Sequence, residues 1–309
     1  MRSQPTAGPA VSPVLQGLVL APLLLVAGYG AADLTLLSGH TVDLFPWRMS
    51  PVTATLLGAG YGGSCLMLAM ALCAEQWVRV RVAVAASSLL VLLTLGACLL
   101  GHGTLHLAQG GAVAVLSAWV WLGGHAAAPL LGLIAFGAQW RRNTRWRARN
   151  GQPAPRPPRL PWWVAAPIIG NGLVFAACGL LLYLVPDVLA RDWPWQVRAL
   201  DVRVLGAWCL TFGVALLLGW QEAELRRVRS GMAALVGTGL LGLAGLLRYA
   251  GLVRWASPGS WLIVLALVSF TGLGLSGVGA SFLFAPPTGL SGRGPVVRPA
   301  RPVRPARRE

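Results

Sequence analysis

Eight apolar runs constrain this chain more than any other feature of its sequence. Each run holds about 20 mostly apolar residues, the length that an α-helix needs to cross the hydrocarbon core of a bilayer. A membrane β-barrel would instead require shorter segments of alternating polarity. We therefore predict an all-α integral membrane protein with eight transmembrane helices. The predicted spans are residues 14–36, 51–73, 82–101, 112–138, 162–185, 202–220, 231–249 and 259–284.

The composition agrees with a membrane environment. Charged residues make up 11% of the 309-residue chain and hydrophobic residues 56%, whereas a soluble domain carries about 25% charged residues. The net charge of +16 arises from 25 arginines without any lysine. A strongly basic chain can bind nucleic acid. These arginines, however, lie between and beyond the apolar runs, where they direct membrane topology, so nucleic acid is not a predicted partner.

The arginines also predict the orientation of the chain. If the N-terminus is cytoplasmic, 19 arginines lie on the inner side and 6 on the outer side. Short cytoplasmic loops carry an excess of arginine and lysine, so this distribution favours that orientation. We therefore predict a multi-pass protein of the bacterial plasma membrane with both termini in the cytoplasm. The six outer arginines are Arg48, Arg191, Arg198, Arg203, Arg248 and Arg254.

One phrase of the sequence occurs twice. FPWRMSPVTATLLGAG begins at Phe45, and WPWQVRALDVRVLGAW begins at Trp193, 148 residues later. At the same offset Arg79-Val80-Arg81 matches Arg227-Val228-Arg229, with no gap between the two matches. We interpret the match as the duplication of a four-helix unit. Because four is an even number of spans, both units enter the membrane in the same direction and form two parallel four-helix repeats.

The repeat predicts how the chain is divided. Residues 1–138 form the first four-helix membrane repeat, and residues 162–284 form the second. Residues 139–161 are predicted to be a basic, Pro-rich cytoplasmic linker, whose PAPRPP segment favours extended polyproline geometry. Residues 285–309 are rich in arginine and proline and are predicted to be a disordered cytoplasmic tail.

These motifs carry a resemblance to known proteins. The aromatic-Pro-Trp phrase, the following Leu-Gly-Ala helix and the later AWVW resemble an uncharacterised family of polytopic membrane proteins of actinobacteria, over residues 14–284. Trp119 and Trp121 match the family's tryptophan pair at the start of the fourth span. The family has no established activity, so the resemblance implies membrane residence and topology only. Many members carry an acidic residue between the histidines of an outer turn, which GHGTLHLAQGG lacks.

The polar residues form no recognisable catalytic motif. No nucleotide-binding loop, zinc-protease motif or nucleophile elbow occurs in the sequence. His102 and His106 are four residues apart and could share a helix face as metal ligands, but they have no counterpart in the second repeat. The five cysteines lie in apolar runs and are predicted to be buried free thiols. The sequence therefore predicts neither a metal nor a cofactor.

The candidate functional residues lie on the predicted outer side. Trp47 and Trp195 precede the second helix of each repeat, where they serve either as interfacial anchors or as the aromatic lip of a groove. Asp201 and Arg203 begin the sixth span. Their surroundings predict either a local Asp–Arg network or a substrate-binding cluster. We predict that any ligand site is formed by Trp47, Trp195, Asp201 and Arg203.

Three classes of function fit these observations. The sparse charge within the spans and the lack of catalytic motifs favour a non-enzymatic envelope scaffold or lipid-binding module, with membrane lipids and an envelope protein as partners. Several carriers are built from parallel repeats, so the alternative is a transporter of a small neutral or apolar solute. An enzyme acting on a lipid-linked substrate would need an outer acid or base. The acidic candidates are Asp33, Asp43, Asp187, Asp192 and Asp201.

Structure distinguishes these classes. A cavity that reaches the middle of the membrane would favour transport, and a closed, glycine-packed interface would favour the module. An outer cleft lined by carboxylates would favour the enzyme.

Overall fold

The computed structural model describes residues 8–150, 161–222 and 225–283. Within these ranges eight helices are long and apolar enough to cross a membrane, and the described residues form no β-strand. The predicted all-α membrane fold with eight spans is therefore confirmed. The helices are α1 (Pro13–Leu36), α2 (Pro51–Leu72), α3 (Arg81–Leu100), α4 (Ala112–Asn150), α5 (Trp162–Leu184), α6 (Ala199–Gln221), α7 (Leu225–Arg248) and α8 (Pro258–Leu283).

Two helices extend well beyond their predicted apolar runs. Helix α4 continues to Asn150, into the predicted linker, and α7 begins at Leu225 instead of residue 231. Hydropathy detects only the apolar part of a span. A helix can continue into arginine-rich sequence because arginine has a high helix propensity and its long side chain reaches water. The PAPRPP segment of the predicted linker and the predicted tail lie outside the described residues.

We name the two ends of the helix bundle after the predicted orientation. Loops 37–50, 101–111, 185–198 and 249–257 form the outer end, and the opposite ends of the helices form the inner end. Short helices lie in two of the outer loops, at Thr41–Leu44 and Pro186–Arg191. The first turn of α2 is capped by Ser50, whose Oγ accepts a hydrogen bond from Thr53 N at 3.2 Å. Such a cap fixes where the loop ends and the span begins.

The helices pack chiefly as two groups. Helices α1, α2, α7 and α8 pack in a row, and α6 packs against both α5 and α3. Helix α4 packs on α3 and on the first turns of α1, while α2 and α7 make few contacts with α3 and α6. Each group therefore takes helices from both predicted repeats, and the two repeats interlock instead of forming separate bundles.

Glycines allow the closest helix contacts within each group. A Cβ atom added to Gly213 of α6 would lie 2.3 Å from the backbone nitrogen of Ala176 in α5. One added to Gly63 of α2 would lie 2.5 Å from the carbonyl oxygen of Ala234 in α7. Both distances are too short for a real Cβ atom. Small residues at these two contacts therefore let the helix backbones meet directly, as is common between membrane helices.

Exposed tryptophans lie at both ends of the helix bundle. At the outer end Trp119 is 56% exposed and Trp261 is 60% exposed. By contrast Trp47 is 0% exposed and Trp195 only 5%. The interpretation of these two residues as interfacial anchors is therefore wrong, since both are buried inside the protein. Exposed tryptophans at the inner end are Trp140, Trp162, Trp163 and Trp220.

Candidate functional site

An open cleft with a volume of about 1100 Å³ lies at the outer end. We call it the outer cleft. Its walls come from the loop before α2 and the start of α2, from the loop before α6 and the start of α6, and from the loop before α8. This volume is sufficient for a lipid headgroup or another small ligand. The charged residues that line it are Arg48, Arg191, Arg198, Arg254 and Asp201.

A buried carboxylate forms the base of the outer cleft. Asp201 is 1% exposed. Its Oδ1 accepts a hydrogen bond from Trp47 Nε1 at 3.0 Å, and its Oδ2 accepts one from Arg198 N at 3.0 Å. The second bond caps the first turn of α6, where a carboxylate also interacts favourably with the helix dipole. Both oxygens of Asp201 therefore have structural partners.

The second tryptophan makes the matching bond in the other direction. Trp195 Nε1 donates to Thr53 Oγ1 at 2.9 Å. Trp195 lies 148 positions after Trp47, and Asp201 lies 148 positions after Thr53. Each predicted repeat therefore supplies one tryptophan donor and one acceptor, and each donor bonds to the acceptor of the other repeat.

Backbone contacts of the outer loops follow the same offset. His106 N donates to Pro46 O at 2.8 Å, and Arg254 N donates to Pro194 O at 2.8 Å. The two donors are 148 positions apart in the sequence, and so are the two acceptors. These bonds hold each aromatic-Pro-Trp phrase against the last outer loop of its own repeat. Together with the reciprocal tryptophan bonds, they agree with the register of the proposed duplication.

Aromatic rings support the tryptophans on both sides. Trp193 and Trp195 line the outer cleft and meet edge to face, with ring centroids 5.7 Å apart. Behind Asp201, Trp47 packs against Phe45 at 4.7 Å and against Trp121 at 5.9 Å. Such contacts hold buried indoles in fixed orientations. The N–H group of Trp47 is therefore aimed at Asp201 and not at solvent.

Among the described residues no arginine of the outer cleft forms a salt bridge with a carboxylate, although the charge of Arg198 interacts with the nearby carboxylate of Asp201. Within those ranges the only ion pairs involve Glu222, which lies at the inner end. Arg254 donates to the carbonyl oxygen of Trp193. Of the predicted Asp–Arg network, the described residues show the contact of Asp201 with Arg198, which donates its backbone N–H group to Asp201 and also interacts with it through its charge. Asp187 and Asp192 form no salt bridge with an arginine of the described chain. Four guanidinium groups and one engaged carboxylate give the lining of the cleft an excess of positive charge, which attracts anions.

Three of the four predicted site residues lie together. Trp195 and Asp201 line the outer cleft, and Trp47 lies directly behind Asp201. Arg203 does not line the cleft, because it lies against α5, where its Nε donates to Tyr183 O at 3.2 Å. That the first three residues contribute to ligand binding stays a prediction.

Sequence reasoning placed Arg191 and Arg198 in the surroundings of Asp201 but did not select Arg48 and Arg254, which also line the cleft. A signal for these two was present, because both belong to the six arginines on the predicted outer side. The positive-inside rule disfavours arginine there. Arginines that remain in short outer loops are therefore candidates for a function other than topology.

The outer histidines of the described chain do not lie in a cluster of candidate metal ligands. No three His, Cys, Asp or Glu side chains of the described residues come together in a way that could hold a metal ion. His102 is exposed, and the Nδ1 atom of His106 lies 3.1 Å from the carbonyl oxygen of Phe45. His106 therefore supports the aromatic-Pro-Trp loop of its own repeat.

The chain matches no protein-family model, no curated protein and no solved structure. The resemblance to the actinobacterial family therefore rests on the sequence motifs alone and stays a prediction.

Proposed function

We propose that this multi-pass membrane protein is a non-enzymatic lipid-binding module of the bacterial plasma membrane, and that its outer cleft binds the anionic headgroup of a lipid. Support comes from the four arginines that line one open volume, where Asp201 is the only lining carboxylate among the described residues and only Arg198 interacts with it. A guanidinium group forms paired, charge-assisted hydrogen bonds with phosphate oxygens. A phosphate-bearing headgroup would supply the missing negative charge.

The height of the cleft supports a lipid over a soluble anion. Arg254 lies in the loop before α8, and the exposed Trp261 follows in the first turns of that helix. Exposed tryptophans prefer the level of the lipid headgroups. Arg254 and its neighbours therefore lie where the phosphates of the outer leaflet are found, and a headgroup can reach them without leaving the bilayer.

The chemistry of the cleft also supports binding without catalysis. Asp201 is the only carboxylate that lines it among residues 8–150, 161–222 and 225–283. Both carboxylate oxygens are engaged, with Trp47 and with the backbone of Arg198. A general acid or base must be able to reach the reacting group, and Asp201 is instead held by these two structural hydrogen bonds. The glycine contacts of α2 with α7 and of α5 with α6 hold the helices of each group close together.

We expect single Arg→Gln substitutions in the cleft to weaken the binding of anionic lipid. Arg48→Gln and Arg191→Gln should each lower the affinity about fivefold, because one arginine near a membrane surface contributes about 1 kcal/mol. The double variant should lower it about 25-fold if the two arginines act independently. The measurement is competition between phosphatidylglycerol and phosphatidylcholine for the purified protein in nanodiscs, read by native mass spectrometry.

Arg248→Gln is the matched control. Arg248 is also an exposed arginine of the outer end, but it does not line the cleft, and it donates to Thr35 O at 2.7 Å. Its substitution should leave the lipid preference unchanged. Equal retention of the two lipids by the wild-type protein would contradict the proposal. So would loss of the preference in the control alone.

The predicted orientation has its own test. Reporter fusions within residues 141–160 and after residue 290 should give a cytoplasmic signal, because most of the arginines lie on that side. A fusion within residues 185–198 should give an extracytoplasmic signal. A reversed pattern would place the outer cleft in the cytoplasm and remove the argument from the outer leaflet.

A further inference from the structure

The boundary between the two helix groups contains a second cavity. We call this boundary the seam, and it runs between α2 and α7 on one side and α3 and α6 on the other. The inner cavity has a volume of about 60 Å³ and lies in the halves of these helices nearer the inner end. A cavity of about 10–15 Å³ already accommodates one water molecule, so this space is large enough for water or a small polar molecule.

The inner cavity is mainly apolar, with a few hydroxyl groups. Ser64, Ser87 and Thr211 line it from three different helices. Thr211 is 5% exposed, and its Oγ1 has no hydrogen-bond partner in the part of the chain that the structure describes. Burying a hydroxyl group without a partner is unfavourable. Thr211 therefore indicates that this cavity takes a polar occupant.

An aromatic contact separates the inner cavity from the outer cleft. The rings of Tyr61 in α2 and Trp208 in α6 meet edge to face across the seam, with centroids 5.0 Å apart. Along both helices the cleft residues, such as Val52 and Asp201, precede this contact, and the cavity residues follow it. The cleft and the cavity therefore lie on one line, with the aromatic contact between them.

An ionic cluster closes the seam at the inner end. Glu222 follows α6 and is 4% exposed, and it accepts hydrogen bonds from Arg81 of α3. Its Oε2 also lies 3.8 Å from Nη1 of Arg227 in α7. Arg81 and Glu222 belong to the same helix group, whereas Arg227 belongs to the other. Glu222 and Arg227 are five residues apart, on either side of the short connection between α6 and α7, so their pair is an ionic contact across the seam at the point where the chain itself joins the two groups.

We propose that the seam is a path for a small uncharged polar solute, closed in the middle by Tyr61 and Trp208 and at the inner end by Arg227 and Glu222. The inner cavity offers hydroxyl groups, and Arg227 is its only charged lining residue among those described. An ion would lose its hydration there without a compensating set of charges, so the solute is uncharged. Opening requires the two helix groups to move apart, as in other hinge and shear motions.

This activity goes beyond lipid binding and does not depend on it. The two closures lie in the middle of the path and at its inner end, whereas the arginines of the outer cleft lie at the opposite end of the same helices. Loss of one function therefore need not accompany loss of the other.

The first test measures access to the inner cavity. Ser87→Cys is introduced into a variant without the native cysteines and is reacted with a membrane-impermeant thiol reagent in inverted vesicles. Arg227→Gln should raise the reaction rate at least about tenfold, because it removes the ionic contact across the seam. The variant keeps the Arg81–Glu222 pair within its own group. Glu222→Gln, which keeps the shape of the side chain, is a second variant with the same expected result.

Arg226→Gln is the matched control for this experiment. Arg226 is the exposed neighbour of Arg227 and does not line the inner cavity. Its substitution should leave the reaction rate unchanged. A protein that retains only Cys73, which is exposed, gives the reference rate for an accessible thiol. Equal rates for Ser87→Cys with and without Arg227→Gln and Glu222→Gln would overturn the role of the ionic contact.

The second test measures passage of an uncharged probe. Proteoliposomes that carry Tyr61→Ala together with Arg227→Gln should take up radiolabelled glycerol at least about tenfold faster than wild-type proteoliposomes, with no increase for sulfate. Uptake equal to that of the wild type would overturn the path. Uptake of both probes would overturn the solute class. Phosphatidylglycerol binding in the same preparations should remain at the wild-type level, which separates this result from failure of the lipid-binding proposal.

Discussion

Replacing Gly213 with alanine is expected to destabilise the protein by about 3 kcal/mol or more. The added Cβ would lie 2.3 Å from Ala176 N and 2.7 Å from Gly172 O. These are backbone atoms, so no change of rotamer can relieve the clash, and α5 and α6 must separate along their contact. Reversible unfolding in mixed micelles of detergent and dodecyl sulfate, followed by tryptophan fluorescence, measures the free energy.

Gly170→Ala is the matched control. Gly170 lies in α5, the same helix that Gly213 contacts, but a Cβ atom added to it would have no neighbouring atom within 4 Å among the described residues. This substitution should be neutral or slightly stabilising, since alanine has a higher helix propensity than glycine. Similar effects of the two substitutions would show that helix propensity, and not the contact between α5 and α6, determines the response.

The number and type of the spans could be predicted because each is a local signal. Residues 162–185 were predicted for α5, and the helix runs over Trp162–Leu184. An uninterrupted apolar run of this length has few alternatives in a bilayer, where the backbone must satisfy its own hydrogen bonds. The extensions of α4 and α7 were missed because arginine ends an apolar run without ending a helix.

Hydropathy could not predict which helices pack against each other. Lipid and protein interior are both apolar, so the periodicity that identifies the buried face of a soluble helix is weak here. Helix α2 packs against α7, which is far away in sequence. The repeat predicted that matching helices have matching surroundings, but it did not predict which helices meet.

The candidate site was only partly accessible from sequence for the same reason. Trp47, Trp195 and Asp201 were selected because the repeated phrase and a rare acidic residue are visible locally. Their hydrogen-bond partners were not visible, since Trp47 bonds to a residue 154 positions away. Arg203 was selected because it is close to Asp201 along the chain. Residues two apart in a helix, however, point in different directions, and Arg203 lies against α5.

Replacing Asp201 with alanine is expected to destabilise the protein by about 2–4 kcal/mol, because two hydrogen bonds are lost and the indole N–H of Trp47 stays buried without a partner. Trp47→Phe should lower the free energy of unfolding by less in the Asp201→Ala background than in the wild-type protein, since both substitutions remove the same hydrogen bond.

Asp201→Thr is the matched control. Threonine occupies the corresponding position of the first repeat, where Thr53 accepts from Trp195 at 2.9 Å. A hydroxyl group at position 201 can accept from Trp47 in the same way, so this variant should retain most of the stability. If Asp201→Thr is as unstable as Asp201→Ala, the two tryptophan bonds are not equivalent, and the reciprocal contacts lose their value as support for the duplication.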